Sequence, residues 1–229
     1  MTINAIVVDI EGTIADIAFV KQVLFPYARA ALPAFVRNNA ANPDVAVHLA
    51  AAAETAGVDR DNTEAIIKAL LQWIDEDRKV TPLKALQGMV WQAGYANGDY
   101  TAHLYDDAYQ ALQRWRQDAL PMYVYSSGSV QAQHLYFAHT THGNILDWFQ
   151  GFFDTTSGDK KSSASYQHIA SQIGQPAATI RFYSDSAAEL AAASEAGWQV
   201  VQLCRDGLAA DGRFPAITTF DEQAEGLSA

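Results

Sequence analysis

One pattern constrains this chain more than any other: short apolar runs, rich in β-branched residues, that stop abruptly at polar loops. Ile3 to Val8 end at Asp9-Ile10-Glu11-Gly12-Thr13, Met122 to Tyr125 at Ser126-Ser127-Gly128-Ser129, and Ile180 to Tyr183 at Ser184-Asp185. Gln199 to Leu203 is a fourth such run. Runs this short and this apolar read as strands buried on both faces. Helical patterns lie between them, at Val130 to Phe137, Ser165 to Ile173 and Ala187 to Ala196. Strands alternating with helices predict an α/β core built on a parallel sheet.

The stretch 17–117 breaks this rhythm. It holds no convincing strand, is rich in Ala, Leu, Gln and Arg, and shows helical apolar spacing in Ala65-Ile66-Ala69-Leu70-Trp73 and Leu83-Leu86-Val90. The expected organisation is a core formed by 1–16 and 118–229, with a helical cap, 17–117, inserted after the first strand. Pro26, Pro33, Pro43 and Pro82 are expected to divide the insertion into separate helices.

Charge and length narrow the function. A length of 229 residues suits one large domain or two modest ones. A formal net charge of −11 disfavours nucleic-acid and anionic-membrane partners, so an anionic substrate must be met by local cations, amides or a metal. No apolar run reaches the roughly 20 residues of a spanning helix, and the beginning of the chain lacks the marks of a signal peptide. A cytoplasmic monomer is expected. Cys204 is the single cysteine, which excludes an internal disulfide, and its apolar surroundings in the sequence suit packing.

In an open parallel sheet, ligands bind beyond the carboxyl ends of the strands. Asp9 and Glu11, two residues apart at such an end, suit divided labour in phosphate-ester cleavage: Asp9 as nucleophile, Glu11 as acid and base. Phosphate and a carboxylate repel, so a hard cation is expected, and Mg2+ with Asp9 and Asp185 as ligands fits that need. Ser126, Ser127 and Gly128 offer hydroxyls and amides near a helix start, a favourable anion site. One of Lys160 and Lys161 is expected to neutralise the phosphoryl group.

Asp9-Ile10-Glu11-Gly12-Thr13, Ser126/Ser127, the loop lysine and Asp185 follow the order of the four motifs of the haloacid dehalogenase-like superfamily. Within it, the chain resembles the enolase-phosphatases of methionine salvage, through Glu11 where aspartate is usual and through Phe19-Val20-Lys21-Gln22-Val23-Leu24-Phe25-Pro26-Tyr27. Asp77-Arg78-Lys79, Leu86-Gln87-Gly88 and Phe153-Asp154-Thr155 extend the likeness. The resemblance implies a Rossmann-like core and one Mg2+ per subunit held by Asp9, Glu11 (main chain) and Asp185. It also implies that Ser126, Ser127 and Lys160 bind substrate, Lys160 standing where the family's Gly-x-Lys places its lysine.

The implied reaction turns 2,3-diketo-5-methylthiopentyl-1-phosphate into an acireductone and phosphate through an aspartyl-phosphate. For the base that removes the carbon proton, Glu11, Lys84 and His103 are candidates; Phe19, Phe25, Tyr27 and Trp91 are candidates for contact with the thioether tail, and Glu189 for support of the metal site. The alternatives are a sugar-phosphate phosphatase or phosphomutase of the same superfamily, and a non-catalytic binding protein. The chain departs from the family in reading Thr13-Ile14-Ala15-Asp16 where further threonines are common.

Overall fold

A computed structural model describes residues 2–222. The chain separates into two compact units, 1–17 with 102–229, and 18–101.

The first unit is built on six parallel strands: β1 (Ala5–Val8), β2 (Met122–Tyr125), β3 (Gly151–Phe153), β4 (Ile180–Ser184), β5 (Gln199–Leu203) and β6 (Ala216–Ile217), in the order β3-β2-β1-β4-β5-β6. This is the order of the Rossmann-type doubly wound sheet. Strand β1 is buried throughout, with Val8 in register with Val124 on one side and Tyr183 on the other. Four of these strands follow the apolar runs in the sequence. Strands β3 and β6 escape such a reading because they contribute only three and two residues.

The chain leaves β1 for one side of the sheet and returns to β4 on the other, so the strand order reverses between these neighbours. Their carboxyl ends therefore flank the crevice in which such sheets bind ligands. Asp9 N–H continues the ladder to the Tyr183 carbonyl at 3.0 Å, which sets the loop after β1 beside the loop after β4.

The second unit contains most of the inserted block. After the short turn α1 (Ile17–Phe19) and a π-helical stretch, Val20–Leu24, come α2 (Phe25–Asn39), α3 (Pro43–Ala56), α4 (Thr63–Asp75) and α5 (Thr81–Asn97). Ala28, Leu32 and Val36 of α2 join Val45, Leu49, Ile66, Leu70, Trp73, Leu86 and Val90 in one buried cluster. Asn42 and Asn62 cap α3 and α4 by accepting the amides of Asp44 and Ala65, both at 3.0 Å.

Two expectations are corrected. Pro26, Pro43 and Pro82 stand in first turns, but Pro33 lies inside α2. The ring removes one backbone donor, yet the fully buried stripe Ala28, Leu32, Val36 runs through the position and keeps the helix whole. Helix α6 (Asp106–Gln117), assigned to the insertion from its composition, belongs to the first unit. Its Asp107 carboxylate binds Arg205 and the Phe220 amide, which ties it there.

The first unit is completed by α7 (Val130–Ala138), α8 (Ser163–Ile173) and α9 (Ala187–Glu195). Among the described residues no helix is long and apolar enough to cross a membrane. Leu70 is fully buried in the helical cluster, so Leu70→Ala is expected to lower stability by about 2–5 kcal/mol. Denaturant unfolding with an unchanged midpoint would show that this stripe is not the core of the second unit.

Candidate active site

The loop after β1 folds back on itself. The Ile10 carbonyl accepts the amides of Thr13, Ile14 and Ala15 at 3.2, 3.1 and 3.0 Å, and Gly12 N–H reaches the Ala15 carbonyl at 2.7 Å. Gly12 has φ +75, and a Cβ there would lie 2.4 Å from Asp185 Oδ2. The bare glycine is thus what lets the Asp185 carboxylate come against the loop that carries Asp9. A second tie joins the same loops: Asp185 N–H donates to Thr13 Oγ1 at 3.0 Å.

Lys160 brings the third segment in. Its ammonium lies 2.6 Å from Asp9 Oδ1 and 2.7 Å from Glu189 Oε2, with its side chain only 6% exposed. Tyr166 OH holds the Lys160 carbonyl at 2.7 Å, and Tyr125 OH holds that of Gly158 at 3.1 Å. Gly158 has φ +127, and a Cβ would collide with Ser165 Oγ, so this turn too requires glycine. Lys161 is exposed, its amide bound to the Asp159 carboxylate at 2.9 Å. The lysine beside Asp9 is Lys160.

From β2 comes Ser126, fully buried, whose hydroxyl donates to Glu11 Oε2 at 3.2 Å and accepts the Gly128 amide at 3.2 Å. Ser127 is exposed next to it. Ser129 then caps α7 through the Ala132 amide at 3.3 Å. Gln133 reaches back from α7 to the carbonyls of Gly128 and Phe153 at 2.8 and 2.9 Å, fastening the Ser126 loop to the end of β3.

Four carboxylates, Asp9, Glu11, Asp185 and Glu189, therefore share the field of one ammonium. Burial and the charge of Asp9 raise the Glu11 carboxyl above its ordinary range. The same two causes, in the same order, push Asp185 up to about 6 and Glu189 up to about 7. For Lys160 burial works downward, but Asp9 and Glu189 together outweigh it and the ammonium is held more firmly than usual.

This surplus of buried negative charge, carried entirely by hard oxygen donors, fits a divalent cation of the Mg2+ kind. Among the described residues no three acidic, histidine or cysteine side chains form a ready metal cage. A Mg2+ site needs none, because one or two carboxylates with main-chain oxygen and water suffice.

Comparison with known proteins now bears on the site. The family model of haloacid dehalogenase-like hydrolases matches residues 3–197. Over 220 residues the chain is 52% identical to enolase-phosphatase E1 of Pseudomonas aeruginosa (strain LESB58), covering 96% of this chain and 97% of the relative. The protein of the same name from Aquifex aeolicus (strain VF5) is 44% identical over 96% of this chain and 98% of its own. The chain belongs to the haloacid dehalogenase-like hydrolases, in their enolase-phosphatase branch.

Among solved structures, the UTR4 protein of Saccharomyces cerevisiae superimposes with a TM-score of 0.83 at 32% identity, covering 97% of this hydrolase and all of that chain. A haloacid dehalogenase-like phosphatase from Thermococcus onnurineus gives 0.62 at 17% identity over 96% and 95% of the two chains, a likeness of fold alone.

The residues singled out in the sequence of this enolase-phosphatase relative divide clearly. Asp9, Glu11, Ser126, Lys160 and Asp185 meet at the carboxyl ends of β1, β2 and β4, with Ser127 exposed beside Ser126. Glu189, four residues after Asp185 on α9, is a direct partner of Lys160 and also accepts the Ser184 hydroxyl at 3.1 Å. Its place four residues after Asp185, in the first turn of α9, is the sequence signal for it.

His103 Nδ1 accepts the Asp16 amide at 3.1 Å, so in the neutral ring the proton sits on Nε2 and the basic nitrogen is already engaged. In the second unit Trp91 Nε1–H donates to the Leu24 carbonyl at 2.9 Å and its ring meets Phe25 edge-on at 6.0 Å, while Tyr27 packs against Tyr100 at 4.8 Å. Those aromatics contribute to the unit's own packing.

Because a Cβ on Gly12 would strike Asp185, Gly12→Ala is expected to cut phosphate release by about a hundredfold while leaving the circular dichroism spectrum unchanged. Wild-type turnover in that variant would mean that the contact between the two loops does not matter to the chemistry.

Proposed function

We propose that this hydrolase enolises 2,3-diketo-5-methylthiopentyl-1-phosphate and then removes its phosphate, giving the acireductone 1,2-dihydroxy-3-keto-5-methylthiopentene. The observation that carries the reading is the meeting of Asp9, Lys160 and the Ser126-bound Glu11 where the strand order reverses, in a chain about half identical over nearly its whole length to named enolase-phosphatases.

In this reading Glu11 serves both halves of the reaction. As a carboxylate it takes the proton from the carbon beside the diketone, and the neighbouring carbonyl oxygen, which gains the negative charge, takes a proton from solvent to become the enol. Protonated, it returns that proton to the ester oxygen as this leaves. Asp9 attacks phosphorus: an Asp9 oxygen–phosphorus bond forms, the bond from phosphorus to the substrate oxygen breaks, and an aspartyl-phosphate results. Glu11, ionised again, then deprotonates a water molecule whose oxygen attacks phosphorus and frees Asp9. Lys160, fixed to Asp9 and Glu189, offsets the charge that gathers as phosphate approaches.

The carboxylates of Asp9 and Asp185 and the Glu11 main-chain carbonyl would hold one Mg2+, which supplies Lewis acidity toward phosphoryl and diketone oxygens. A cytoplasmic monomer suits a small phosphorylated metabolite. The large apolar residues that are exposed among those described, Ile17, Val47 and Leu208, lie far apart in the sequence.

Three measurements test the reading. In stopped flow, the wild type should show a transient enol-phosphate absorbance before phosphate appears; immediate phosphate release without it would favour a plain phosphatase. Asp9→Asn should abolish phosphate release yet still produce the enol absorbance, whereas Glu11→Gln should lose both, and an enol signal in Glu11→Gln would assign the carbon base elsewhere. Mg2+ should raise the melting temperature of the wild type by mass action, and Asp185→Asn should lose most of that shift. An equal shift in the variant would remove Asp185 from the metal site.

A further inference from the structure

Arg205 belongs to none of the motifs discussed so far. It follows β5 by two residues, and its side chain is only 8% exposed. The guanidinium makes three bonds to three separate segments: Nε to the Thr13 carbonyl at 3.1 Å, Nη1 to the Thr218 carbonyl at 3.1 Å, and Nη2 to Asp107 Oδ2 at 2.8 Å. Asp107 Oδ2 also accepts the Phe220 amide at 2.8 Å. The charged head lies 4.3 Å from the centroid of Tyr105 and 5.5 Å from that of Phe220.

We propose that Arg205 is a positioning residue for the catalytic loops, acting through Thr13. Thr13 is fully buried, and its carbonyl must find a donor or stand unpaired; Arg205 supplies it. The same residue's hydroxyl accepts the Asp185 amide. Thr13 thus stands between the guanidinium and the loop of Asp185, four residues from Asp9. Fixing its carbonyl fixes where its hydroxyl receives Asp185. The fork matters as much as the charge, because a lysine ammonium is a single point and cannot span three acceptors on three segments. Asp107 keeps the buried guanidinium paired, so helix α6 acts as the anchor for this clamp.

The inference rests on the phosphatase reading, and the wild type assayed in parallel separates the two failures. If wild type releases no phosphate from the diketone phosphate, the function is wrong. If wild type is active, Arg205→Lys should lower kcat by about ten- to a hundredfold with KM changed far less, since displaced loops misplace reacting groups rather than remove substrate contacts. Thr13→Val, which removes the hydroxyl acceptor, should lower kcat similarly. The double variant should be no slower than the slower single variant, as expected of two changes on one route. Wild-type kcat in folded Arg205→Lys, or losses that multiply in the double variant, would overturn the proposal. Should Arg205→Lys not fold, Asp107→Asn loosens the clamp while the arginine stays, and the same fall in kcat is expected; wild-type kcat there also overturns it.

Discussion

The structure of the first unit turns on keeping four carboxylates, one buried and three half-buried, together with a single ammonium among them. Asp9 is 4% exposed and Lys160 6%, and each buried ion forfeits several kcal/mol of hydration that only close pairing recovers. The 2.6 Å bond between them, with Glu189 at 2.7 Å on the same ammonium, supplies that pairing. Burial, and then the charge of Asp9, still raise the titration of Glu11, Asp185 and Glu189, although Lys160 acts on each in the opposite direction. A site built this way is suited to receive positive charge, of the kind the proposed Mg2+ would supply.

Holding the cluster falls to backbone devices rather than to packing. Two glycines with positive φ, Gly12 and Gly158, stand where a Cβ would meet Asp185 or Ser165, and tyrosines 125 and 166 hold the carbonyls on either side of Asp159. The parallel sheet contributes direction: because β1, β2 and β4 point the same way, the residues that follow them emerge at one edge. Replacing a strand residue with another apolar one would leave that geometry standing; altering a loop glycine would not.

How much of this could be read from the chain depends on how local each signal is. Strands β1, β2, β4 and β5 announce themselves because burial on both faces demands continuous apolar runs. Strand β3 is legible only from its neighbour, since Gly151–Phe153 is too short to show a period, and β6 has two residues. Asp9 and Asp185 are legible as acidic residues at the ends of such runs, with Glu11 two residues beyond Asp9, whereas the choice of Lys160 over Lys161 rests on the family resemblance, whose Gly-x-Lys pattern Gly158 and Lys160 match. Ser126 and Ser127 are equivalent in sequence, and only the fold shows that Ser126 is buried against Glu11 while Ser127 is exposed. The Arg205–Asp107 pair carries no local signal at all, because its partners are 98 residues apart and become neighbours only through the fold. Helix α6 is ambiguous in sequence for the same reason: its composition matches the helical block, and its ties to the first unit, Asp107 to Arg205 and to the Phe220 amide, are distant along the chain.

Glu11 shows why the longer acidic side chain matters. Its main chain closes the β1 loop, pairing with Ala15 in an isolated bridge, so the backbone cannot shift to bring the carboxyl closer to anything. Reach must come from the side chain, and the extra methylene carries Oε2 to the Ser126 hydroxyl across from β2. Burial and the nearby Asp9 favour a protonated Glu11, while Lys160 and the Ser126 hydroxyl favour the carboxylate. A group pulled in both directions exchanges a proton at less cost than one settled firmly in either state. The two proton transfers proposed for Glu11, from carbon and then to oxygen, would both draw on that balance. Under the mechanism proposed above, the lengthened residue serves the enolisation as well as the phosphoryl transfer, whereas a generic phosphatase needs only the proton transfer to oxygen.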